Sequence, residues 1–413
     1  MESTSPINAD VLIVGGGLVG MAQAIALAGA NLSVCVIDRT DPQQSQQVGF
    51  DGRASAIAMA TRRLLDATSV WQRLADTPAP ILDIRVSDGT SLMFLHYDHT
   101  DIGDEPFGYM VENRHLRRAL FERAAEIPAI RLLAPAGLCR LERAVHQVRA
   151  TLQDGRQIRA QLCIGAEGRD STTRDDAGIK VTRWSYRQTA IVCSVRHQRC
   201  HEFIAHEHFL PAGPFAILPL NGDDGATGNL SSIVWTEKSD RAASVLALSD
   251  AGFKREFDKR FGDFLGTTDI VGPRFSHPLS LQFAHTSTAR RLALIGDASH
   301  GMHPIAGQGL NMGLRDVAVL SEVIADARRL GLDIGDGQVL GRYEQWRRFD
   351  NTLMLAATDG LNRLFSNDVP AVRLARDLGL AIVNRLPPVK KTFMRHAMGL
   401  TGDLPRLMRG EPL

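Results

Sequence analysis

The sequence predicts an α/β fold: a Rossmann-like parallel-sheet domain, discontinuous along the chain, with an inserted β-sheet domain and a helical C-terminal region. Three observations carry this. "DVLIVGGGLVGMAQAIALAGANLSVCVIDR", Asp10 to Arg39, is a strand–turn–helix–strand unit. A second strand-to-helix corner, "RRLALIGDASHGMHPIAGQGLNMGLRDVAVLSEVIADA", runs from Arg290 to Ala327. Between them, residues 181–274 read as β-runs bounded by Gly, Pro and Asn, and beyond about residue 340 the spacing is helical.

Bulk composition bounds the class. A chain of 413 residues is long enough for two domains or for one domain with an insertion. With 44% hydrophobic and 23% charged residues it reads as an ordinary globular protein. A net charge of +1 gives nucleic-acid binding no electrostatic support. Cys35, Cys139, Cys163, Cys193 and Cys200 form no CxxC pair and no metal spacing, so free thiols in a reducing compartment are expected. "MESTSPINAD" has no basic region, so no secretory signal is expected and a cytoplasmic location is. The apolar run Val11–Ala30 is long enough to span a membrane, but Gly15, Gly16, Gly17 and Gly20 divide it into a buried strand and helix.

The first corner has the chemistry of a dinucleotide site. Gly15, Gly17 and Gly20 fit G-x-G-x-x-G: tight turn, backbone approach of a pyrophosphate, and close helix–strand packing. The helix start offers N–H groups and a positive dipole end to phosphate. Asp38 ends the second strand where a carboxylate binds a ribose hydroxyl, with Arg39 beside it. This corner alone fits NAD and FAD equally.

The second corner chooses between them. Asp297 can bind a polyol hydroxyl, and the Gly307-Gln308-Gly309 backbone can approach a flat ring because no Cβ intervenes. The helix that follows points its positive end at that ring, which favours a ring that becomes anionic on reduction. An isoalloxazine does so and a nicotinamide does not. Pro304 stiffens the approach. One FAD held at both ends is therefore expected.

At this point the chain resembles a known family. "GDASHGMHPIAGQGLNMGLRD" is similar to the flavin-ribityl motif of FAD-dependent aromatic hydroxylases of the p-hydroxybenzoate hydroxylase superfamily, in particular the hydroxylases of ubiquinone biosynthesis of the UbiH/UbiI/UbiF type. The resemblance extends through "FDGRASAIA", "FGYMVENRHLRRAL", "LCIGAEGRDSTTR", "GPFAILPL" with "SSIVWT", and "MRHAMGLTGDLPRLMRG". It implies that Arg53 lies along the flavin, that Asn113 contacts FAD, and that Asn311 belongs to the flavin-binding set. The third motif usually reads Gly-Ala-Asp-Gly; here Glu167 replaces the Asp, while Ser171 and Arg174 fit. That departure bears on NAD(P)H handling more than on FAD.

The implied activity is hydroxylation of the aromatic ring of a polyprenyl-phenol intermediate of ubiquinone biosynthesis, through a flavin C4a-hydroperoxide, with O2 as co-substrate. NAD(P)H or a protein electron donor is the reductant. The flavin is the expected source of catalysis, and no catalytic side chain is assigned. By family position His303, Pro304, Tyr109, Leu218 and Pro219 line the pocket. Two readings stay beside this one: a soluble aromatic-acid hydroxylase, and a non-catalytic lipid-binding or assembly protein on the same fold.

The expected division is residues 1–75, 100–180 and 275–340 for the FAD-binding domain, 76–99 and 181–274 for the substrate sheet, and 341–413 for the helical end. His300 reads as a buried imidazole bonded to backbone, and His206 with His208 as one sheet face rather than a metal site. No metal is expected. The tail mixes Lys390, Lys391, Arg395, Arg406 and Arg409 with Phe393, Met394, Met398 and Leu400. Peripheral contact with the inner face of the cytoplasmic membrane and packing on the core or against a partner subunit are held equally open, and other quinone-biosynthesis proteins are among the expected partners.

Overall fold

The computed structural model describes residues 5–42, 53–89, 94–222, 228–302, 307–365 and 386–413. A six-stranded sheet runs in the order Thr288–Ala289, Leu292–Leu294, Leu162–Gly165, Val11–Val14, Val34–Ile37, Ile130–Leu133. All its pairings are parallel except the short edge strand Thr288–Ala289. Val11–Val14 and Val34–Ile37 are buried along their whole length, which follows from cover on both faces. One face packs against the helices Leu18–Gly29, Asn113–Ala125 and Gln308–Arg329. The other packs on the small sheet of Ile7–Asn8, Gln157–Ala160, Val148–Leu152 and Leu138–Arg143.

The second large sheet has eight strands, in the order His300–Gly301, Thr268–Ala284, Val181–His197, Leu230–Lys238, Gly213–Leu220, Ile204–Leu210, Asp83–Asp88, Phe94–Asp98. Its outer face buries Phe215, Ile217, Ile233 and Trp235 against Phe253, Phe257 and Phe261 of the helix Asp250–Phe261. Its inner face meets a three-stranded sheet of Ala54–Ala58, Gly108–Glu112 and Ala79–Ile81. The expected boundary at residue 275 falls inside a continuous 17-residue strand, Thr268–Ala284. At the edge of the large sheet that strand pairs with His300–Gly301 of the second corner, and its Ala284 end joins the apolar cluster under the parallel sheet.

The C-terminal helix Pro387–Ala397 buries Met394, which with Met398 joins the inner-face cluster. Arg315 fixes the turn after it by bonds to the carbonyls of Thr401 and Asp403. Among the described residues no helix is long and apolar enough to cross a membrane.

Candidate functional site: two glycine corners and an apolar chamber

Three adjacent parallel strands, Leu292–Leu294, Leu162–Gly165 and Val11–Val14, end at the same edge of their sheet. Their next residues are the second corner, the third motif and the first corner. The carboxyl edge of such a sheet is where ligands bind, because loops diverge there and leave a crevice.

At the first corner the glycines differ in what they do. Gly15 has φ +106°, and a Cβ there would lie 2.5 Å from the Ala166 carbonyl oxygen. A Cβ on Gly20 would lie 1.9 Å from the Gly15 oxygen, so helix and turn touch backbone to backbone. A Cβ on Gly17 would meet nothing within 4 Å. Protein packing therefore does not require glycine at 17, and the open space lies over a helix start that has no side-chain cap. The Asp38 carboxylate accepts from the Gly16 N–H at 2.6 Å and from the Thr40 N–H at 2.7 Å, so it closes the corner while keeping lone pairs for another donor. Arg39 is exposed beside it.

The second corner adjoins the first. Val19 packs against Gly296 and Gly313: a Cβ on Gly313 would be 3.0 Å from Val19 Cγ2 and 3.3 Å from Gly296 Cα. Asp297 accepts from Arg169 Nε at 3.1 Å, and Arg169 also donates to Ser280 Oγ at 2.6 Å. Gly307 starts the long helix at φ +62°, with its Cβ position 3.0 Å from Ala56 Cβ. Gly309, like Gly17, faces open space at a helix start without a side-chain cap. Gln308 is buried.

Two asparagines hold the strand Ala54–Ala58 against this helix. Asn311 donates to the Ala56 carbonyl at 2.8 Å and accepts from the Ala58 N–H at 3.0 Å. Asn113 accepts from Ser55 Oγ at 2.7 Å, and its N–H donates to the Arg53 carbonyl at 2.9 Å. Both amides thus position the strand that begins after the exposed Arg53.

Tyr109 and Leu218 share the inner-face cluster with Ala54 and Ala56. Strand alternation turns Pro219 to the other face, the one that carries Ile217. His303 and Pro304 lie outside the described residues. His206 and His208 stack on the outer face, with His206 4.8 Å from the Phe264 ring centroid. Desolvation pulls His206 down to about 3 and also lowers His208, which bonds Ser87 Oγ at 2.6 Å.

Sequence reasoning left four residues, Asp316, Glu167, Arg174 and Glu207, without the settings that the structure gives them. Asp316 is fully buried and joins three elements: it accepts from the Gly296 N–H at 2.9 Å, His300 Nε2 at 2.7 Å and Arg347 Nε at 2.7 Å. Burial pushes its carboxyl up, but His300 and Arg347 outweigh this and hold it below the usual range. His300 is buried as expected, yet its partner is this carboxylate and not backbone. Glu167 turns back on its own short helix, Thr172–Asp176, accepting from Ser171 Oγ at 2.8 Å and the Thr173 N–H at 3.1 Å. Arg174, fully buried, ties this motif to the second corner through the Arg169 carbonyl at 2.9 Å and the Ala298 carbonyl at 3.3 Å. Glu207 sits on the inner face between two apolar clusters.

Comparisons with known proteins agree with this architecture. A family model described as an FAD binding domain matches residues 8–349. The chain is 55% identical to the ubiquinone hydroxylase UbiL of Rhodospirillum rubrum, over 100% of this chain and 96% of that protein. It is 35% identical to the 3-demethoxyubiquinol 3-hydroxylase of Escherichia coli, over 95% of this chain and 98% of that one. Among solved structures, p-nitrophenol 4-monooxygenase PnpA of Pseudomonas putida has the same fold, with a TM-score of 0.78 at 19% identity over 97% of this chain and 99% of that one. Three converging strand ends, two glycine helix starts and full-length identity lead to one assignment: the chain belongs to the FAD-binding family and is an FAD-dependent monooxygenase.

Proposed function

We propose that this chain hydroxylates the aromatic ring of a polyprenyl-phenol intermediate of ubiquinone biosynthesis. The observation that carries the reading is the junction of the second glycine corner with an apolar cluster: Gly307 abuts Ala56, and Ala56 packs against the cluster that holds Tyr109, Leu218, Met394 and Met398. The activities for which the two relatives are named support the same substrate class.

The residues present fit FAD, because at Gly17 and Gly309 no atom of the described residues lies within 4 Å of a Cβ position over two helix starts without side-chain caps. In this reading the Gly15–Gly20 turn holds the pyrophosphate, and Asp38 with Arg39 holds the adenosine ribose. Asp297, itself held by Arg169, takes a hydroxyl of the ribityl chain. The Gly307–Gly309 backbone and the Ala54–Ala58 strand flank the ring, with Arg53, Asn113, Gln308 and Asn311 shaping that seat. Bound flavin, reduced by NAD(P)H or by a protein donor, supplies the activated oxygen. The chain's own part is to exclude water with aliphatic walls, to hold the phenol ring in register, and to accept its proton.

A polyprenyl chain reaches the enzyme from a bilayer, and the C-terminal helix fits that delivery. Met394 is buried in the inner-face cluster, while Leu386, Val389 and Phe393 are exposed beside Lys391 and Arg395. We place the peripheral contact there, with other quinone-biosynthesis proteins as further partners. Quinone profiling of a deletion strain tests the whole reading. Accumulation of an under-hydroxylated polyprenyl-phenol is expected, and an unchanged quinone pool in a strain without a paralogue would refute it.

A further inference from the structure

The inner face of the eight-stranded sheet carries one acid in an aliphatic row. Register places Val86, Glu207, Ala216, Val234 and Val192 side by side across five strands. The two faces of this sheet are packed differently. On the outer face Phe215, Ile217, Ile233 and Trp235 are at most 1% exposed. On the inner face Val86, Glu207, Leu218 and Val234 all keep partial access. A helix fills the outer face, whereas the inner face mixes these partly accessible positions with the buried Ala205, Ala216 and Val192.

Glu207 has no hydrogen bond or ion pair within the described residues. Its neighbours on the same face are Ala205 and Phe209 along the strand, and the next inner residues of the flanking strands are Ile84, Leu218 and Pro214. Among the described residues, the ionisable groups on this side include Tyr97, which burial raises to about 12, the buried Asp88, and Tyr186, which packs with Val192 and Val234 and bonds Asp359. Arg85, His206 and His208 belong to the opposite face. Burial alone raises the Glu207 carboxyl to about 7, and no charged neighbour contributes to that shift. A solitary acid in an aliphatic wall costs stability unless a ligand uses it. A substrate that also carried a carboxylate would meet repulsion here.

We propose that Glu207 binds the ring hydroxyl of the phenolic substrate and takes its proton. This rests on the polyprenyl-phenol reading above. The phenol O–H proton passes to a Glu207 carboxylate oxygen, which becomes the neutral acid. The electron pair stays on the ring oxygen and enriches the carbon to be hydroxylated. An acid that titrates near neutral pH can accept this proton and return it to water after product leaves.

The test is binding, read by perturbation of flavin absorbance. The probes are a phenol bearing one isoprenyl chain and the same molecule without its hydroxyl. Wild-type protein is expected to prefer the phenol about ten- to a hundredfold, the range of a hydrogen bond to an ionisable group. Glu207→Gln should erase the preference while still binding the deoxy probe, Glu207→Asp should keep part of it, and FAD content should be equal in all three. The preference should change across neutral pH in the wild type and be flat in Glu207→Gln. A Glu207→Gln protein that still prefers the phenol as the wild type does would overturn the assignment of Glu207. Wild-type protein that binds neither probe would instead overturn the substrate reading, and the Glu207 role with it.

Discussion

Single side chains divide into those that close the fold and those that face open space. Gly20 and Gly17 show the contrast. Alanine at 20 would place its Cβ 1.9 Å from a backbone oxygen, so Gly20→Ala is expected to lower apoprotein stability severely, by thermal unfolding. Alanine at 17 meets nothing, so Gly17→Ala should leave the apoprotein melting temperature unchanged and weaken FAD binding in a titration. The two acids, Asp316 and Glu207, have opposite pH signatures. Asp316 is held below its ordinary range, so its contribution is present above the unfolded carboxylate pKa and is lost as pH falls through the folded value. Removing it also leaves Arg347 buried without that partner, and Asp316→Ala should cost about 3–5 kcal/mol near neutral pH. Glu207 is raised to about 7, so the folded chain holds a proton that the unfolded chain releases, and stability falls between the unfolded value and pH 7. Glu207→Gln should therefore match the wild type near pH 4 and exceed it by about 1–3 kcal/mol at pH 8, measured by denaturant unfolding at both.

Elements carry the pattern that a sequence makes legible. The strand–glycine–helix corners were readable because a parallel strand needs an uninterrupted apolar run and a phosphate-facing turn needs glycine at fixed offsets. The β-runs of the inserted sheet were readable from alternation. Alternation does not say which face meets a helix and which a chamber, so the "HEHF" run drew notice to its histidines while Glu207 between them went without a role. The departure at Glu167 bears on NAD(P)H handling in the sequence, and spacing alone does not reveal that its carboxylate folds back on Ser171 and Thr173. Asp316 lies 16 residues from His300, and only the turn of the second corner brings them together. The helix Pro387–Ala397 illustrates what faces decide. Met394→Ala, in the buried seam, should cost about 2–5 kcal/mol. Phe393→Asp, on the exposed side, should leave thermal stability unchanged and reduce flotation with anionic vesicles.

At the scale of the whole molecule, division into a parallel-sheet part and an inserted sheet was legible, but their seam was not. Domains joined by short linkers move relative to one another by default. Here Val181–His197 and Thr268–Ala284, each 17 residues long, pair antiparallel from the parallel-sheet edge to the far end of the large sheet. Calorimetry should accordingly show one cooperative transition for the FAD-bound protein, and two resolved transitions would contradict a shared seam. The strand Thr268–Ala284 also holds the second corner: Phe283 pairs with His300, and Ser280 bonds the arginine that holds Asp297. Nucleotide seat and oily wall thus form one truss. Damage to the wall far from any glycine corner should loosen the cofactor, and a vacated seat should soften the wall, so a loss of yellow colour in a chamber mutant marks transmitted slack and not a missing contact.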